Sequence, residues 1–299
     1  MSLIHSKHIQ IMRVKSNNVL TTIHLTFHRR KIKYIIQSLT DHECESIHLI
    51  GDALIETIDN IITPEEERYI SLVEKRRSFL LKSDLVVESV DYGAGNPKSD
   101  RTKEQMREGF RSTTSVSQLC RISKSKFWAL LIFKLIRKLK PASCLELGTC
   151  LGISASYQAA ALTLNKKGRL LTLEGSPESC KIAKETMEEV ELKNVDVVCG
   201  PFDDTYLSAL SSLQHVDFLF NDGHHDHDAV LKYFKEALPY LADDAIIIFD
   251  DIAWSQGMQK AWREIEDDTK VVVTVDLGTM GIAFLSKREI EKTRFSIPL

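Results

Sequence analysis

Ser143-Cys-Leu-Glu-Leu-Gly-Thr-Cys-Leu-Gly-Ile-Ser154 reads as a short apolar strand that turns through Gly148 and Gly152 directly into a helix. Glycines allow a tight turn and a close approach of backbone to ligand, and the helix start behind them presents unpaired N–H groups. Outward from this stretch, β-rich apolar runs alternate with helical ones to the end of the chain. The strands expected are Ser143–Leu147, Arg169–Glu174, Val195–Cys199, Val216–Asn221, Ala245–Asp250, Val271–Asp276 and Ile282–Ser286. Helices fall between them, near 153–164, 179–190, 205–213, 226–241 and 256–266. This alternation predicts an α/β fold with a doubly wound, seven-stranded, mostly parallel sheet covered on both faces. The last two strands are joined by Leu277-Gly-Thr-Met-Gly281, too short for a crossover helix, so they form an antiparallel C-terminal hairpin.

Upstream, Thr63-Pro-Glu-Glu66 combines a capping hydroxyl, a first-turn proline and a glutamate three residues after the cap, which announces a helix to about Lys82. Val86–Tyr92 reads as extended, and Gly93-Ala-Gly-Asn-Pro97 as a turn. From Lys98 to Lys126, eight basic residues stand against three acids, so this stretch is either a solvated connector or a cationic lid over an anionic ligand. An apolar helix from Phe127 to Lys140 leads into the sheet. Residues 1–40 carry seven Lys and Arg and no acid. That pattern fits a solvated accessory segment, a transit peptide or an arm for phosphate or RNA. The run Leu20–Phe27 ends in alternation and reads as a strand. The expected division is a basic N-terminal extension over 1–60, a helical accessory or lid region over 61–140, and the ligand-binding α/β domain over 141–299.

Composition sets outer limits. A chain of 299 residues with 43% apolar residues, 27% charged residues and net charge −3 buries a real core and is neither disordered nor collagenous. The longest apolar stretch, Phe127 to Phe133, ends at Lys134, whereas a spanning helix needs ~20 such residues. Six cysteines without a C-x-x-C pair point to reduced thiols and a cytoplasmic location.

In open α/β sheets, ligands bind beyond the carboxyl ends of the strands. The second strand ends in Glu174-Gly175, and a carboxylate at that place accepts hydrogen bonds from two ribose hydroxyls. A dinucleotide site wants G-x-G-x-x-G, but Cys150 and Ile153 fill the other glycine positions, which argues against NAD and FAD. The fourth strand runs into Asn221-Asp-Gly-His-His-Asp-His-Asp228, and the fifth into Phe249-Asp-Asp251. Asp222, Asp250 and Asp251 offer an oxygen-rich site for Mg²⁺, Ca²⁺ or Mn²⁺, while the ligand set for Zn²⁺ is incomplete. His225, three residues past Asp222, is placed to act as a general base. His224 and His227 read instead as a polar loop before the next helix.

Taken in order, Leu145–Ser154, Leu173-Glu174, Gly200-Pro-Phe-Asp203, Asp217–His225 and Ile247–Asp251 resemble the class I S-adenosylmethionine-dependent methyltransferases, within them the catechol O-methyltransferase-like group. The similarity covers about 141–286. It implies S-adenosylmethionine as cofactor, with Glu146, Gly148, Thr149, Gly152 and Ser154 around its methionine portion. It places Glu174 and Gly175 at the ribose, Phe202 and Asp203 at the adenine, and Asp222 among the other cofactor-binding residues. It also implies a divalent metal such as Mg²⁺ at Asp222, Asp250 and Asp251. Two positions depart from the pattern: the second acid of the last pair is Asp251 instead of an amide, and His225 stands where the group has a catalytic lysine. The expected reaction is O-methylation of a small-molecule hydroxyl, with His225 and Asp222 as catalytic residues and Trp254 beside the acceptor. RNA or protein as methyl acceptor, through the basic N-terminus, is the alternative, as is a protein that binds the cofactor without catalysis. Asn-Asp-Gly-His at the fourth strand differs from the N/D-P-P-Y/F motif of many amino-group methylators. No membrane partner is expected, and homodimer formation stays open.

Overall fold

The computed structural model describes residues 32–95 and 101–299. The strand expected over Leu20–Phe27, most of the basic N-terminal run, and Asn96 and Pro97 of the expected turn lie outside the described residues.

Helices α1 (32–40), α2 (Glu45–Ile58) and α3 (Pro64–Leu80) come first. The capping box forms as its residues dictate: Thr63 accepts from the Glu66 amide, and Glu66 accepts from the Thr63 amide at 2.9 Å. Next come β1 (Val86–Asp91), α4 (Lys103–Glu108), β2 (Phe110–Ser115), α5 (Val116–Ile122) and α6 (Lys126–Leu139). The cationic connector is therefore built structure over its described residues. Its Ser/Thr run, Phe110–Ser115, pairs antiparallel with β1, so that Val86 faces Ser115 and Asp91 faces Phe110.

The domain proper continues β3 (Ser143–Leu147), α7 (Ile153–Asn165), β4 (Arg169–Glu174), α8 (Pro177–Glu189), β5 (Val195–Cys199), α9 (Phe202–Leu213) and β6 (Val216–Asn221). Then follow α10 (His227–Ala237), β7 (Leu241–Phe249), α11 (Gln256–Asp267), β8 (Val271–Asp276), β9 (Gly281–Leu285) and β10 (Thr293–Ser296). The helix expected over 226–241 breaks into a 3-10 turn at Leu238–Tyr240. Pro239 has no N–H for the carbonyl one turn back, and its ring disfavours helical geometry before it.

Strand order is β10-β8-β9-β7-β6-β3-β4-β5. Strands β7, β6, β3, β4 and β5 are parallel, and β9 runs antiparallel to both β7 and β8, which is the expected hairpin. The sheet holds eight strands where the sequence pattern predicts seven, because β10 adds to the free edge of β8. Alternate residues of each strand serve opposite faces. Phe218, Phe220, Ile246 and Ile248 join the core beneath α6, α7 and α8, while Leu219, Ile247 and Phe249 join the core beneath α9, α10 and α11.

The N-terminal helices share the first of these cores through Ile36, Leu39, Ile47, Ile50 and Leu54. A buried charge network binds them there. The Lys134 ammonium of α6 reaches Glu66 of α3 at 2.6 Å and Glu56 of α2 at 2.9 Å, and Arg137 adds a bond to Glu66 at 3.3 Å. Among the described residues, no helix is long and apolar enough to cross a membrane.

Candidate active site

Chain direction across the sheet reverses beside β3, which lies between β4 and β6, so a crevice opens at the carboxyl ends of these strands. A cavity of about 620 Å³ occupies it. Its floor depends on Gly148, whose φ is +97° and where an added Cβ would lie 2.4 Å from the Asp222 carbonyl oxygen. Only glycine permits both that conformation and that approach of the β3 end to the β6 end. Gly175 plays a related part, since an added Cβ there would lie 2.5 Å from the Tyr92 ring that roofs the cavity.

At one end of the cavity stands Glu174. Its carboxylate accepts from the amides of Cys150 and Ser176, each at 2.8 Å. Burial pushes this carboxyl up to about 7, against the opposing pull of those N–H bonds. Phe202 lines the same part of the cavity and packs on Tyr233, whose hydroxyl meets His224 Nδ1 at 2.8 Å. His224 is thus an enclosed member of an aromatic cluster, and burial holds its imidazole below its ordinary value. His227 lies apart, bridging Asp228 and Glu264 on the surface, and Asp226 caps α10.

Glu146 sits under the cavity and does not line it. Its oxygens accept from Gln158 Nε2 at 2.7 Å and Thr172 Oγ1 at 2.5 Å, and complete burial pushes its carboxyl up to about 7. These bonds tie β3 to α7 and β4.

The acidic end gathers residues from two strand ends, those of β6 and β7, and from the accessory region. Donor atoms of Asp222, His225 and Asp250 lie within 4.8 Å of one another. Asp251, expected as the third acid, stands at the rim, its Oδ2 3.8 Å from His225 Nε2. His225 Nε2 is also 3.6 Å from Asp222 Oδ1, is buried, and hydrogen-bonds to nothing among the described residues. His225 and Trp254 face each other across 5.6 Å between ring centres. Backbone strain collects around the cavity: Cys150, His224, His225 and Asp251 all line it and have positive φ, between 37° and 72°. Such conformations persist only where surrounding structure enforces them, and they concentrate at functional sites.

A residue that sequence reasoning does not single out completes the cluster. The Lys124 ammonium forms a short ion pair with Asp250 and lies 3.4 Å from Asp222 Oδ1. It arrives from the loop between α5 and α6, and its side chain is only 13% exposed. A cation of the protein therefore already answers these two acids, and the cluster as built does not offer a divalent metal an open cradle.

Of the residues expected at the site, Gly148, Thr149, Ser154, Glu174, Gly175, Phe202, Asp222, His225, Asp250 and Asp251 line the cavity, as does Trp254. Glu146, Gly152 and Asp203 do not. Gly152 packs beneath α8, where an added Cβ would lie 2.8 Å from Met187 Cε, and Asp203 pairs with Lys232 at 2.6 Å on the outer side of Phe202. Met258 and Trp262 are buried in the second core. The accessory region contributes Asp91, Tyr92, Arg101, Ile122 and Lys124. Arg101 pairs with Asp91 at 2.7 Å, and the Ala94 amide donates to the His224 carbonyl at 3.0 Å, tying this roof to the β6 end. The cationic excess over 98–126 is the one sequence signal that points to this contribution.

Residues 145–252 match a family model described as a methyltransferase domain. Solved structures of similar fold include cofactor-bound Rv0187 from MTB, 16% identical over 79% of this chain and 96% of that one, with TM-score 0.51. The O-methyltransferase of Bacillus cereus in complex with SAH is 19% identical over 79% of this chain and 97% of that one, with TM-score 0.50. The SAH-bound methyltransferase PaMTH1 of Podospora anserina is 20% identical over 56% of this chain and 82% of that one, also with TM-score 0.50. No curated protein matches the chain significantly.

Proposed function

We propose that the chain is a class I S-adenosylmethionine-dependent methyltransferase that methylates a hydroxyl oxygen of a small molecule, a reading supported by the match of residues 145–252 to a methyltransferase-domain model. The observation that carries the reading is the two-ended cavity, with Glu174 and Phe202 at one end and His225 among carboxylates at the other. Gly148 and the buried, amide-held Glu174 fit an adenosine-bearing cofactor, because they combine close backbone approach with an acceptor for paired hydroxyls.

Bound S-adenosylmethionine supplies a methyl group on a sulfonium, transferable in line to an oxygen nucleophile. The chain's own residues supply alignment and the proton path. Glu174 would accept hydrogen bonds from the ribose, and Phe202 and Tyr92, which line the same part of the cavity, would enclose the cofactor. His225 Nε2, without a hydrogen-bond partner among the described residues, would take the hydroxyl proton as the O–C bond forms and the methyl–sulfur bond breaks, its electron pair remaining on sulfur. Asp222 and Asp251, 3.6 and 3.8 Å away, stabilise the imidazolium that results. Positioning of this kind is a large part of catalysis, since aligned reactants avoid the entropy cost of encounter.

Calorimetric titration with S-adenosylmethionine and S-adenosylhomocysteine, followed by transfer assays on a panel of hydroxyl acceptors, tests the proposal. Micromolar binding of both and turnover that His225→Gln lowers by roughly a hundredfold or more are expected, with cofactor affinity unchanged. Failure of both compounds to bind would overturn it.

A further inference from the structure

We propose that the Lys124 ammonium is the resident cation of the Asp222–Asp250 cluster and that this pocket works without a divalent metal. By ligand type and spacing alone the three donors could hold an ion, since two carboxylates and an imidazole lie within 4.8 Å of one another. What decides against it is the occupant. Lys124 Nζ is in close contact with Asp250 Oδ2 and 3.4 Å from Asp222 Oδ1, in the space where an ion bound to both would have to sit.

The pairing is enclosed. Asp250 is 3% exposed, Asp222 18% and Lys124 13%. A carboxylate as buried as Asp250 is costly without a counter-charge, and a compact ammonium with three donors answers two acids at once. To bind there, a divalent ion would have to expel that ammonium and overcome its repulsion at short range.

The lysine is also fixed from both sides. Before it, α5 is anchored by the Ser115–Gln118 capping box and by the buried residues Val116 and Cys120. After it, α6 runs through the first core from Ala129 to Ile136. Ile122, Ser123 and Lys124 all face the cavity. Its ammonium is therefore held at the acids by the fold around it, as a built part of the site.

Electron paramagnetic resonance of Mn²⁺ titrated into the full-length protein, with no acceptor or cofactor present, tests this directly. Wild type is expected to leave the free-ion spectrum unchanged at millimolar Mn²⁺. Lys124→Ala and Lys124→Met, each checked for native folding by circular dichroism, are expected to bind one Mn²⁺ at least about tenfold more tightly, because the repelling charge is gone and the acids are bare. Adding Asp250→Asn to either variant is expected to abolish that gain. One-to-one binding by wild type as tight as in the variants would overturn the proposal, as would folded variants that bind no more tightly than wild type. The methyl-transfer reading is tested on the same samples by cofactor titration. Loss of either result therefore leaves the other standing.

Discussion

Cofactor binding is expected to release a proton, and Glu174 is its source. In the free protein, burial raises this carboxyl to about 7, although the Cys150 and Ser176 amides at 2.8 Å favour its charged form. Ribose hydroxyls donating to Glu174 would favour the carboxylate further, so the cofactor selects the ionised protein. With a midpoint near 7, roughly a tenth of the molecules are ionised at pH 6 and roughly nine-tenths at pH 8, by the ordinary titration relation. Apparent affinity scales with the competent fraction, so it is expected to rise ~tenfold from pH 6 to pH 8 and to be lost as pH falls through the midpoint. The sign follows from the direction of the shift: a raised carboxyl holds its proton in the free state and gives it up on binding. Calorimetry with S-adenosylhomocysteine, run at each pH in two buffers of different ionisation enthalpy, reads both the affinity and the proton count. Glu174→Gln is expected to bind more weakly and to lose the pH dependence, whereas the equally raised Glu146, outside the cavity, keeps its carboxyl in that variant. A wild-type affinity that is flat from pH 6 to pH 8, or net proton uptake, would refute the assignment of Glu174.

Two further perturbations follow from geometry. Gly148→Ala places a Cβ 2.4 Å from the Asp222 carbonyl oxygen at a φ of +97°, so the β3 and β6 ends must part. Strain of this kind costs about 1–3 kcal/mol, and at least tenfold weaker cofactor binding with a lowered melting temperature is expected in calorimetry and thermal melts. Lys134→Ala leaves Glu66 buried beside Arg137 alone, and loss of one partner from a buried ion pair costs about 3–5 kcal/mol. Urea titration is expected to show a fall near the lower end of that range, because Arg137 retains its 3.3 Å bond to Glu66; a fall below about 1 kcal/mol, the range of exposed pairs, would contradict the buried network.

The strand frame was legible because burial on both faces leaves continuous apolar runs. Val216–Asn221 and Val271–Asp276 carry their own boundaries in that way. Strand β7 begins earlier than its apolar run, at Leu241, because Asp243 and Asp244 are exposed beside the register shift between Val216 and Phe218. The short edge strand β10, half exposed along Thr293–Ser296, has neither a stripe nor a neighbouring turn to announce it. Helix α2 is a different case. Ile47, Ile50, Leu54 and Thr57 stand at helical spacing and are buried, so the signal was present, though overshadowed by the basic run before it. Strand β2 is almost wholly exposed along Phe110–Ser115, and its polar residues therefore read as a connector.

At the site, the carboxyl-end rule found the residues contributed by the strands, since Gly148, Glu174, Asp222 and Asp250 end their strands or directly follow them, with Phe202 and His225 three and four positions beyond. Lys124 obeys no such rule. Eight basic residues lie between 98 and 126, and nothing local distinguishes the one that reaches Asp250; long-range folding alone makes that choice. The same holds for Glu146, whose position beside the turn suggests a ligand contact while its hydrogen bonds to Gln158 and Thr172 assign it to the scaffold.

The roof formed by β1, β2 and the loop after α5 brings a division of labour with it. Strand ends supply Glu174, Asp222 and Asp250 to the cavity, whereas the described residues of 86–126 supply Tyr92 over Gly175 and Lys124 at the acids. Because Lys124 comes from that second part, changing the segment also changes the charge of the cavity. Roof shape and cavity electrostatics are thus carried together, on one stretch of chain outside the sheet beneath it.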